Sequence, residues 1–291
     1  MTIYYILAFL TAFGYALNFG LTKFYQIKQG NTIETGVIFN CLVGLAGSIL
    51  YFIICRFKVE ITLFSLIMAI LFTIFVGVYT MIGFKIMSMG SMAIYTIFLM
   101  LGGMALPYFY GIIFLEEQIT VLKVIAMLMM IIAIIMQNDG EKKKEKILFY
   151  ILCIAVFILN GGVSIVSKIH QIDTGYEAVS ANGFVLLKNI MMFILYGGMI
   201  PFVMKGKKKA TSIKPKIYAI IFGTAIISSV AYMFQLVSSL YLPATVQVPV
   251  ISGGTIVFSA LLGLVCFKEK ISKKQILSLI ICAISMIAFV L

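Results

Sequence analysis

The fold is decided by a segment that occurs twice: Gly111-Ile-Ile-Phe-Leu-Glu-Glu-Gln-Ile-Thr120 and, 152 residues later, Gly263-Leu-Val-Cys-Phe-Lys-Glu-Lys-Ile-Ser272. In both copies a Gly is followed by an apolar run, a Glu and an Ile-Ser/Thr step, so that Glu117 aligns with Glu269. A segment that recurs at a fixed spacing indicates a duplicated structural unit. The sequence therefore predicts two such units, each about half of the chain.

A second match extends the duplication to the start of each half. A shift of 145 residues aligns Tyr5-Ile-Leu7 with Tyr150-Ile-Leu152, and Lys23 with Lys168. The two shifts differ by seven residues, and we assign this difference to the loop from Lys205 to Lys216. Taken in order along the chain, the matches favour a duplication over chance similarity between apolar segments.

The composition places the duplicated unit in a membrane. Hydrophobic residues make up 63% of the chain and charged residues 11%, whereas soluble domains are about half apolar and about one quarter charged. A helix of about 20 apolar residues crosses a bilayer core, whereas barrel strands are about ten residues long and alternate in polarity. The sequence thus excludes a soluble globular protein and predicts an all-α polytopic membrane protein. Ten transmembrane helices are expected at 3–25, 35–55, 61–84, 91–114, 119–136, 147–169, 179–204, 217–240, 243–267 and 272–290.

Two connections in the sequence are long and polar, residues 137–146 and Lys205 to Lys216. The first divides the ten segments five and five, so we predict a first repeat at 1–136, a basic linker at 137–146 and a second repeat at 147–291. Because five is an odd number, the second repeat enters the membrane from the opposite side, and the two repeats are inverted. Inverted repeats are typical of secondary transporters, whose substrate site lies near the middle of the bilayer between the repeats.

The distribution of basic residues predicts the orientation. The connections after the odd-numbered helices carry 17 lysines, whereas the other side carries 4 basic residues. Cytoplasmic loops are enriched in Lys and Arg. We therefore expect a multi-pass protein of the cell membrane with both termini outside the cytoplasm.

Four places in the sequence resemble a known family. Helix 1 reads Gly14-Tyr-Ala-Leu-Asn18-Phe-Gly-Leu-Thr-Lys23, the two Gly-to-Glu segments form a pair, and helix 9 begins Leu242-Pro-Ala-Thr-Val-Gln-Val-Pro249. In register, these resemble the drug/metabolite transporter (DMT) superfamily, in its EamA-like branch of ten-helix permeases. The resemblance implies a permease whose cavity is lined by helices 1 to 4 and 6 to 9, with helices 5 and 10 peripheral.

The chain departs from the family pattern in two helices. The usual Trp is absent from helix 1, and Asn40 stands in helix 2, where the family often carries an Arg. Anion recognition by that Arg is therefore not carried over. The resemblance also does not name the cargo, because members move amino acids, nucleobase-like compounds, choline-like cations, nucleotide sugars and drugs.

Polar side chains at membrane depth are the candidates for a substrate site. Tyr95 and Gln247 occupy equivalent positions in the 152-residue repeat, as do Thr80 and Tyr232, and symmetric polar pairs that face one axis would form a small binding site. Hydrogen bonding between helices is the alternative role for each, because polar side chains in lipid seek interior partners. The predicted substrate-binding residues are Asn18, Tyr79, Tyr95, Asn160, Lys188, Tyr232, Gln235 and Gln247.

Lys188 is the charged residue that lies well inside a predicted segment. About nine residues of helix separate it from the outer end of helix 7, which places it about 13 Å deep at 1.5 Å per residue. A buried ammonium group faces a water-filled cavity or a partner. We therefore expect Lys188 either to attract a carboxylate or phosphate of the substrate or to contact carbonyl groups at a helix end.

Other motif residues have a structural role as their first interpretation. Glu117 and Glu269 stand at helix junctions, where a Glu beside a Ser or Thr is usually a cap; coupling to an ion is the alternative. Pro107 and Pro249 interrupt helices 4 and 9, as simple kinks or as sites of freed backbone carbonyl groups.

These observations predict a secondary transporter of small organic metabolites, such as amino acids or related compounds, that works by alternating access. A lipid or lipid-precursor flippase and a multidrug or organic-cation exporter are the alternatives. An enzyme is not expected, because the single histidine His170 excludes HExxH and no GxSxG pattern occurs. The five scattered cysteines indicate neither disulfides nor a metal site. We expect no cofactor and no nucleic acid; the partners are the substrate and the lipid bilayer, and the protein is a monomer or homodimer.

Overall fold

The computed structural model describes residues 2–30, 32–89, 92–137, 146–172, 175–205, 215–268 and 271–291. Across these ranges the chain is helical and contains no strand, which confirms the predicted all-α fold. Nine of the helices found there are long and apolar enough to cross a membrane. The ten helices are α1 (Thr2–Gln29), α2 (Ile33–Ile54), α3 (Leu63–Met89), α4 (Met92–Phe114), α5 (Val121–Met136), α6 (Ile147–Gln171), α7 (Ala181–Val203), α8 (Pro215–Tyr241), α9 (Ala244–Phe267) and α10 (Lys273–Val290).

Several helices begin where a side chain can bond to the free backbone amides of the first turn. Thr32, Thr120, Ser180 and Ser272 precede α2, α5, α7 and α10, and each accepts a hydrogen bond from the backbone N–H three residues further on. Such caps satisfy amides that have no partner within the helix. Thr120 and Ser272 are 152 residues apart, so the fifth helix of both repeats begins at the same repeat position.

The helix α5 is shorter than the sequence predicted. It starts at Val121, because Thr120 caps it, and it has 16 residues. At 1.5 Å per residue it extends about 24 Å, whereas the hydrocarbon core of a bilayer is about 30 Å thick. It packs on α10, which has 18 residues.

The most extensive contacts between helices of different repeats keep their pattern when the first five helices are exchanged with the last five. α1 packs on α8 and α9, and its equivalent α6 packs on α3 and α4. In the same way, α2 packs on α8 and α7 packs on α3. Three further contacts, α2 with α7, α4 with α9 and α5 with α10, join helices that hold the same place in each unit. This is the packing of two units related by an approximate two-fold axis, as expected for inverted repeats.

Individual atoms show the register of the two units. In α5 and α10, the Ser278 hydroxyl donates to the Ala133 carbonyl over 2.7 Å, and the Ser285 hydroxyl donates to the Ala126 carbonyl over 2.5 Å. A shift of 152 residues converts one of these residue pairs into the other. At the crossing of α2 and α7, the Cys41 sulfur lies 3.9 Å from the Phe193 carbonyl, again 152 residues apart. α3 and α8 begin 152 residues apart, as do α4 and α9, so the shift found in the sequence is the register of the structure from α3 onward.

The seven-residue difference arises in two places. α1 and α6 begin at Thr2 and Ile147, 145 residues apart, and α2 and α7 begin at Ile33 and Ala181, 148 residues apart, so three residues are added between the starts of the first and second helices. α3 and α8 begin at residues 63 and 215, 152 residues apart, so the other four are added between the starts of the second and third helices, where 8 residues join α2 to α3 and 11 join α7 to α8. The prediction that the difference lies in the loop from Lys205 to Lys216 is therefore right for only part of it. Most of that loop and most of the predicted linker at 137–146 lie outside the described residues, so the boundary between the repeats stays a prediction.

Small residues allow the helices to approach closely beside the center of the molecule. A Cβ atom added at Gly102 of α4 would lie 2.2 Å from the Phe157 carbonyl oxygen of α6. At the equivalent crossing of α9 with α1, a Cβ atom at Gly254 would lie 2.7 Å from the Ala12 Cβ. Close backbone approach through small residues is a usual way to pack membrane helices. The two crossings fix α1 and α6 against the opposite repeat.

Buried apolar side chains form two main clusters, and each contains helices of both repeats. One cluster joins α1, α4, α5, α9 and α10. The other joins α2, α3, α6, α7 and α8. The interior of the molecule is thus divided into two lobes.

Candidate functional site: a central cavity

A cavity of about 510 Å³ lies between the two lobes. Residues of α1 to α4 and α6 to α9 line it, and in the part of the chain that the structure describes α5 and α10 contribute no residue. This division matches the one that the family resemblance implies. The volume falls within the range of about 300 to 1,000 Å³ that is usual for small-molecule sites.

Most of the residues predicted from the sequence to bind substrate line this cavity. Tyr95 instead lines a neighbouring cavity of about 300 Å³, and Tyr79 lies in the walls of both. Gln247 lines neither of the two. The structure therefore brings together six of the eight predicted residues: Asn18, Tyr79, Asn160, Lys188, Tyr232 and Gln235.

Gln247 is a helix-to-helix contact. Its side chain is 2% exposed, and its Nε2 donates to the Gln235 carbonyl and to the Ser238 hydroxyl, each over 2.7 Å. These bonds join the start of α9 to the end of α8. The structure thus shows the alternative role of Gln247, hydrogen bonding between helices, and substrate binding by Gln247 stays a prediction.

Several cavity residues combine a position in the wall with a bond to a neighbouring helix. The Tyr15 hydroxyl of α1 donates to Gln235 Oε1 of α8. Asn160 Nδ2 of α6 donates to the Leu99 carbonyl of α4 over 2.8 Å. The oxygen Oδ1 of Asn18 is buried and accepts no hydrogen bond from a described residue. The wall is therefore held in place by its own polar groups, and its surface toward the cavity is mainly apolar, with uncharged polar groups and Lys188 set into it.

Lys188 is the cation of this cavity wall. Its side chain is 6% exposed, and it lies seven residues after the first residue of α7, which is about 10 Å along the helix axis. Its Nζ lies 4.8 Å from the ring centroid of Tyr232 and 5.8 Å from that of Phe72. The two rings pack on each other with centroids 5.1 Å apart. The ammonium group therefore faces aromatic surface and the cavity, and within the described ranges it contacts no helix-end carbonyl.

The connection between α8 and α9 is fixed by two charged side chains, Glu117 from the connection between α4 and α5 and Lys168 from α6. Both carboxylate oxygens of Glu117 accept bonds from the first turn of α9, from Ala244 N over 2.6 Å and from Thr245 N over 2.8 Å. Nζ of Lys168, in α6, donates to the Ser239 carbonyl over 2.7 Å and to the Leu242 carbonyl over 2.9 Å. We call this arrangement the α8–α9 clamp: Glu117, Lys168 and residues 239–245.

The clamp supports the capping interpretation of Glu117, with one difference. Glu117 caps α9 and not the helix α5 that follows it, because Thr120 already caps α5. Carboxylates at helix N-termini and cations at C-termini are favourable for the helix dipole. The predicted cap Glu269 lies outside the described residues.

The cavity extends away from the clamp. At the clamped end, Tyr4 of α1 and Tyr241 of α8 stack with ring centroids 3.9 Å apart. The lining continues at the opposite end through Thr22, Gln26 and Thr35, which lie near the end of α1 and the start of α2. The two ends of the molecule therefore differ: aromatic rings stack at the clamped end, whereas the cavity lining continues at the opposite end.

Phe72 and Ser167 beside Tyr232, and the role of Lys168 in the clamp, were not predicted from the sequence. Phe72 lies in a continuous apolar run that carries no signal of a site. Ser167, whose hydroxyl lies 2.8 Å from that of Tyr232, precedes Lys168 directly. The match of Lys23 with Lys168 in the repeat was the one available signal, since a lysine at the same place in both copies indicates a shared role.

Neither a protein-family model nor a curated protein matches the sequence. A solved crystal structure of another protein is similar, with a TM-score of 0.76 and 12% sequence identity, over 97% of this chain and 95% of that one. At this identity the likeness shows the fold alone. Fold and cavity together define a class: an all-α multi-pass membrane protein whose two halves enclose a cavity lined by apolar and polar side chains.

Proposed function

We propose that this protein is a secondary transporter that moves small organic metabolites across the cell membrane by alternating access, and that it is a member of the DMT superfamily in the EamA-like branch. The observation that carries the proposal is a cavity, with polar side chains set into an apolar wall, between two units of two-fold related packing. In transporters built from inverted repeats, the site lies at the repeat interface, and rocking of one bundle against the other exposes it to each side in turn.

The α8–α9 clamp supports this mechanism because it closes one end of the cavity. Alternating access needs two states, and in the described state α4, α6, α8 and α9 are joined at the clamped end. The 17 to 4 distribution of basic residues would place the other, extended end of the cavity toward the cytoplasm. The described state is then the one that faces the cytoplasm.

The cavity wall favours facilitated transport or exchange over coupling to protons through an acid. Carboxylates within a membrane span are the usual proton carriers of transporters. Among the described residues that line the cavity there is no Asp or Glu. Glu117, the acid of the clamp, is engaged by two backbone amides.

Uptake into liposomes by the purified protein tests the proposal. Ser252 lines the cavity, so Ser252→Trp should fill it and abolish saturable uptake of a metabolite from a mixed panel. Ile284→Trp adds the same ring on an exposed face of α10 and should retain uptake. Thermal denaturation checks that both variants are folded.

Three results would contradict the transporter proposal. They are the absence of uptake of any solute by the folded wild-type protein, catalytic turnover without translocation, and lipid scrambling alone. The second would indicate an enzyme and the third a flippase.

A further inference from the structure

The cavity contains a fixed positive charge that the described protein leaves without a counter-ion. Lys188 lines the cavity and is 6% exposed. Within the described ranges its Nζ has two ring contacts, to Tyr232 and Phe72, and makes no hydrogen bond or ion pair. Buried cations in membrane proteins are usually paired or bonded to carbonyl groups. Lys188 therefore lacks, in the empty cavity, the partner that such a group normally has.

A comparison with Lys168 shows that the missing partner is specific to Lys188 and does not follow from burial alone. Both lysines are 6% exposed. Lys168 uses its ammonium group on the Ser239 and Leu242 carbonyls, which is a structural role. Lys188 has no such carbonyl and faces the cavity, so that a ligand can reach it.

The aromatic rings orient the ammonium group but do not replace an anion. A cation over a ring is attracted by the ring's quadrupole, more weakly than by a full negative charge. The Tyr232 hydroxyl is already engaged with Ser167 over 2.8 Å, so the ring is fixed beside Nζ. The side of the ammonium group that the rings leave free is available for an anion.

No acid of the described chain is placed to fill that role. Five of the ten acidic residues lie within the described ranges, and none of them lines the cavity. Each stands in a connection or in the first turn of a helix: Glu34, Glu60, Glu116, Glu117 and Glu177. The other five, Asp139, Glu141, Glu145, Asp173 and Glu269, lie outside the described residues.

We infer that the cavity takes an organic monoanion, bound through a carboxylate or a similar singly charged group at Lys188, with an otherwise neutral body. This inference rests on the proposed function and names its substrate class. One ammonium group neutralises one negative charge, and the remaining wall offers rings, amides and hydroxyls for a neutral body. A free amino group on the ligand would add a positive charge that no described lining residue can balance, so the site disfavours free amino acids.

The first experiment uses the wild-type protein in liposomes and competition against a labelled substrate found in the uptake panel. For each of several carbon skeletons it compares a carboxylate, its neutral amide, the 2-amino acid and the phosphate monoester. The carboxylate should compete about tenfold or more better than the amide, because a hydrogen bond to a charged group is lost in the amide. Stronger competition by the amide or the amino acid would overturn the inference. Stronger competition by the phosphate ester would contradict the part of the inference that gives the ligand a single negative charge.

The second experiment compares Lys188→Gln, Lys188→Arg and the control Lys123→Gln, which removes a lysine outside the cavity. The readout is the shift in melting temperature that the best carboxylate produces in the purified protein, together with uptake. We expect the shift to vanish in Lys188→Gln, with affinity about tenfold to a hundredfold weaker, to persist in part in Lys188→Arg and to be unchanged in Lys123→Gln. An unchanged shift in Lys188→Gln would remove Lys188 from the site.

The two experiments separate failure of the inference from failure of the proposed function. Saturable transport without preference for anions would contradict the inference and leave the transporter proposal standing. Absence of all transport by the folded protein would contradict the transporter proposal itself. The competition panel uses only the wild-type protein. It can therefore contradict the inference even if the Lys188→Gln variant does not fold.

Discussion

At the scale of single residues, the sequence located the polar groups of the cavity but not their partners. Polar side chains in a membrane span must face the protein interior, and this rule alone brought six of the eight predicted residues to one cavity. It could not separate Gln235, which lines the cavity, from Gln247, which does not. That difference depends on the carbonyl group of Gln235 and the hydroxyl of Ser238, whose positions are set by the turn between α8 and α9.

A substitution at Gln247 tests the structural role assigned to it. Gln247→Met keeps the length of the side chain and removes both hydrogen bonds to α8. Interhelical hydrogen bonds of this kind contribute about 1 kcal/mol in membrane proteins, so we expect a lower melting temperature and lower folded yield. The KM for transport should stay at the wild-type value, since Gln247 does not line the cavity. A raised KM with normal stability would return Gln247 to the substrate site.

At the scale of helices, the clamp includes a bonding partner of Glu117 that its own sequence motif did not predict. The Glu of the repeated segment predicted a cap within its own junction, whereas Glu117 bonds to the backbone of Ala244, 127 residues away. The chemistry was predicted correctly, because an acid suits a helix N-terminus. The partner was not, because it depends on how α4 and α9 pack together, which a short motif does not contain.

Breaking the clamp should open the closed end of the cavity. Glu117→Gln replaces one acceptor oxygen with a donor, and Lys168→Met removes the bonds to the end of α8. In a cysteine-free background, Ser252→Cys in the cavity wall reports access to a membrane-impermeant thiol reagent. We expect labelling from the clamped side to rise about tenfold or more in either clamp variant, which corresponds to the loss of bonds to charged groups.

The control for this experiment is Lys123→Gln, which changes a lysine outside the clamp and should leave labelling unchanged. Labelling from the opposite side, measured in inverted vesicles, should not rise in the clamp variants. Equal labelling of wild type and clamp variants from the clamped side would show that the contacts of Glu117 and Lys168 do not control access.

At the scale of the whole molecule, composition and repeat spacing predicted the architecture well. The number of helices follows from apolar runs of sufficient length, and the 152-residue register reappears in the paired contacts of Ser278 with Ala133 and of Ser285 with Ala126. The position of the extra residues was predicted only in part, because the segments that align best are apolar and constrain the loops between them only weakly. Nine residues join α6 to α7 where three join α1 to α2, and a longer loop of this kind is easily accommodated at a surface.

Reporter fusions test the orientation of the whole molecule. The distribution of 17 against 4 basic residues predicts that a reporter active only outside the cytoplasm will be active after Leu291. The same reporter inserted in the loop from Lys205 to Lys216 should be inactive. The opposite pattern at both positions would reverse the orientation, and with it the direction in which the cavity faces.

The shortness of α5 bears on the lipid around the protein. α5 and α10 have 16 and 18 residues and present Leu128, Ile132, Ile280 and Ile284 on exposed faces. Together they form a flank whose apolar height at α5 is about 24 Å, which creates a hydrophobic mismatch with a bilayer core of about 30 Å. Lipid beside this flank has to thin locally, at a cost that grows with acyl-chain length. The protein should therefore be most stable in bilayers of shorter-chain lipids and should gather in the thinner membranes of its cell.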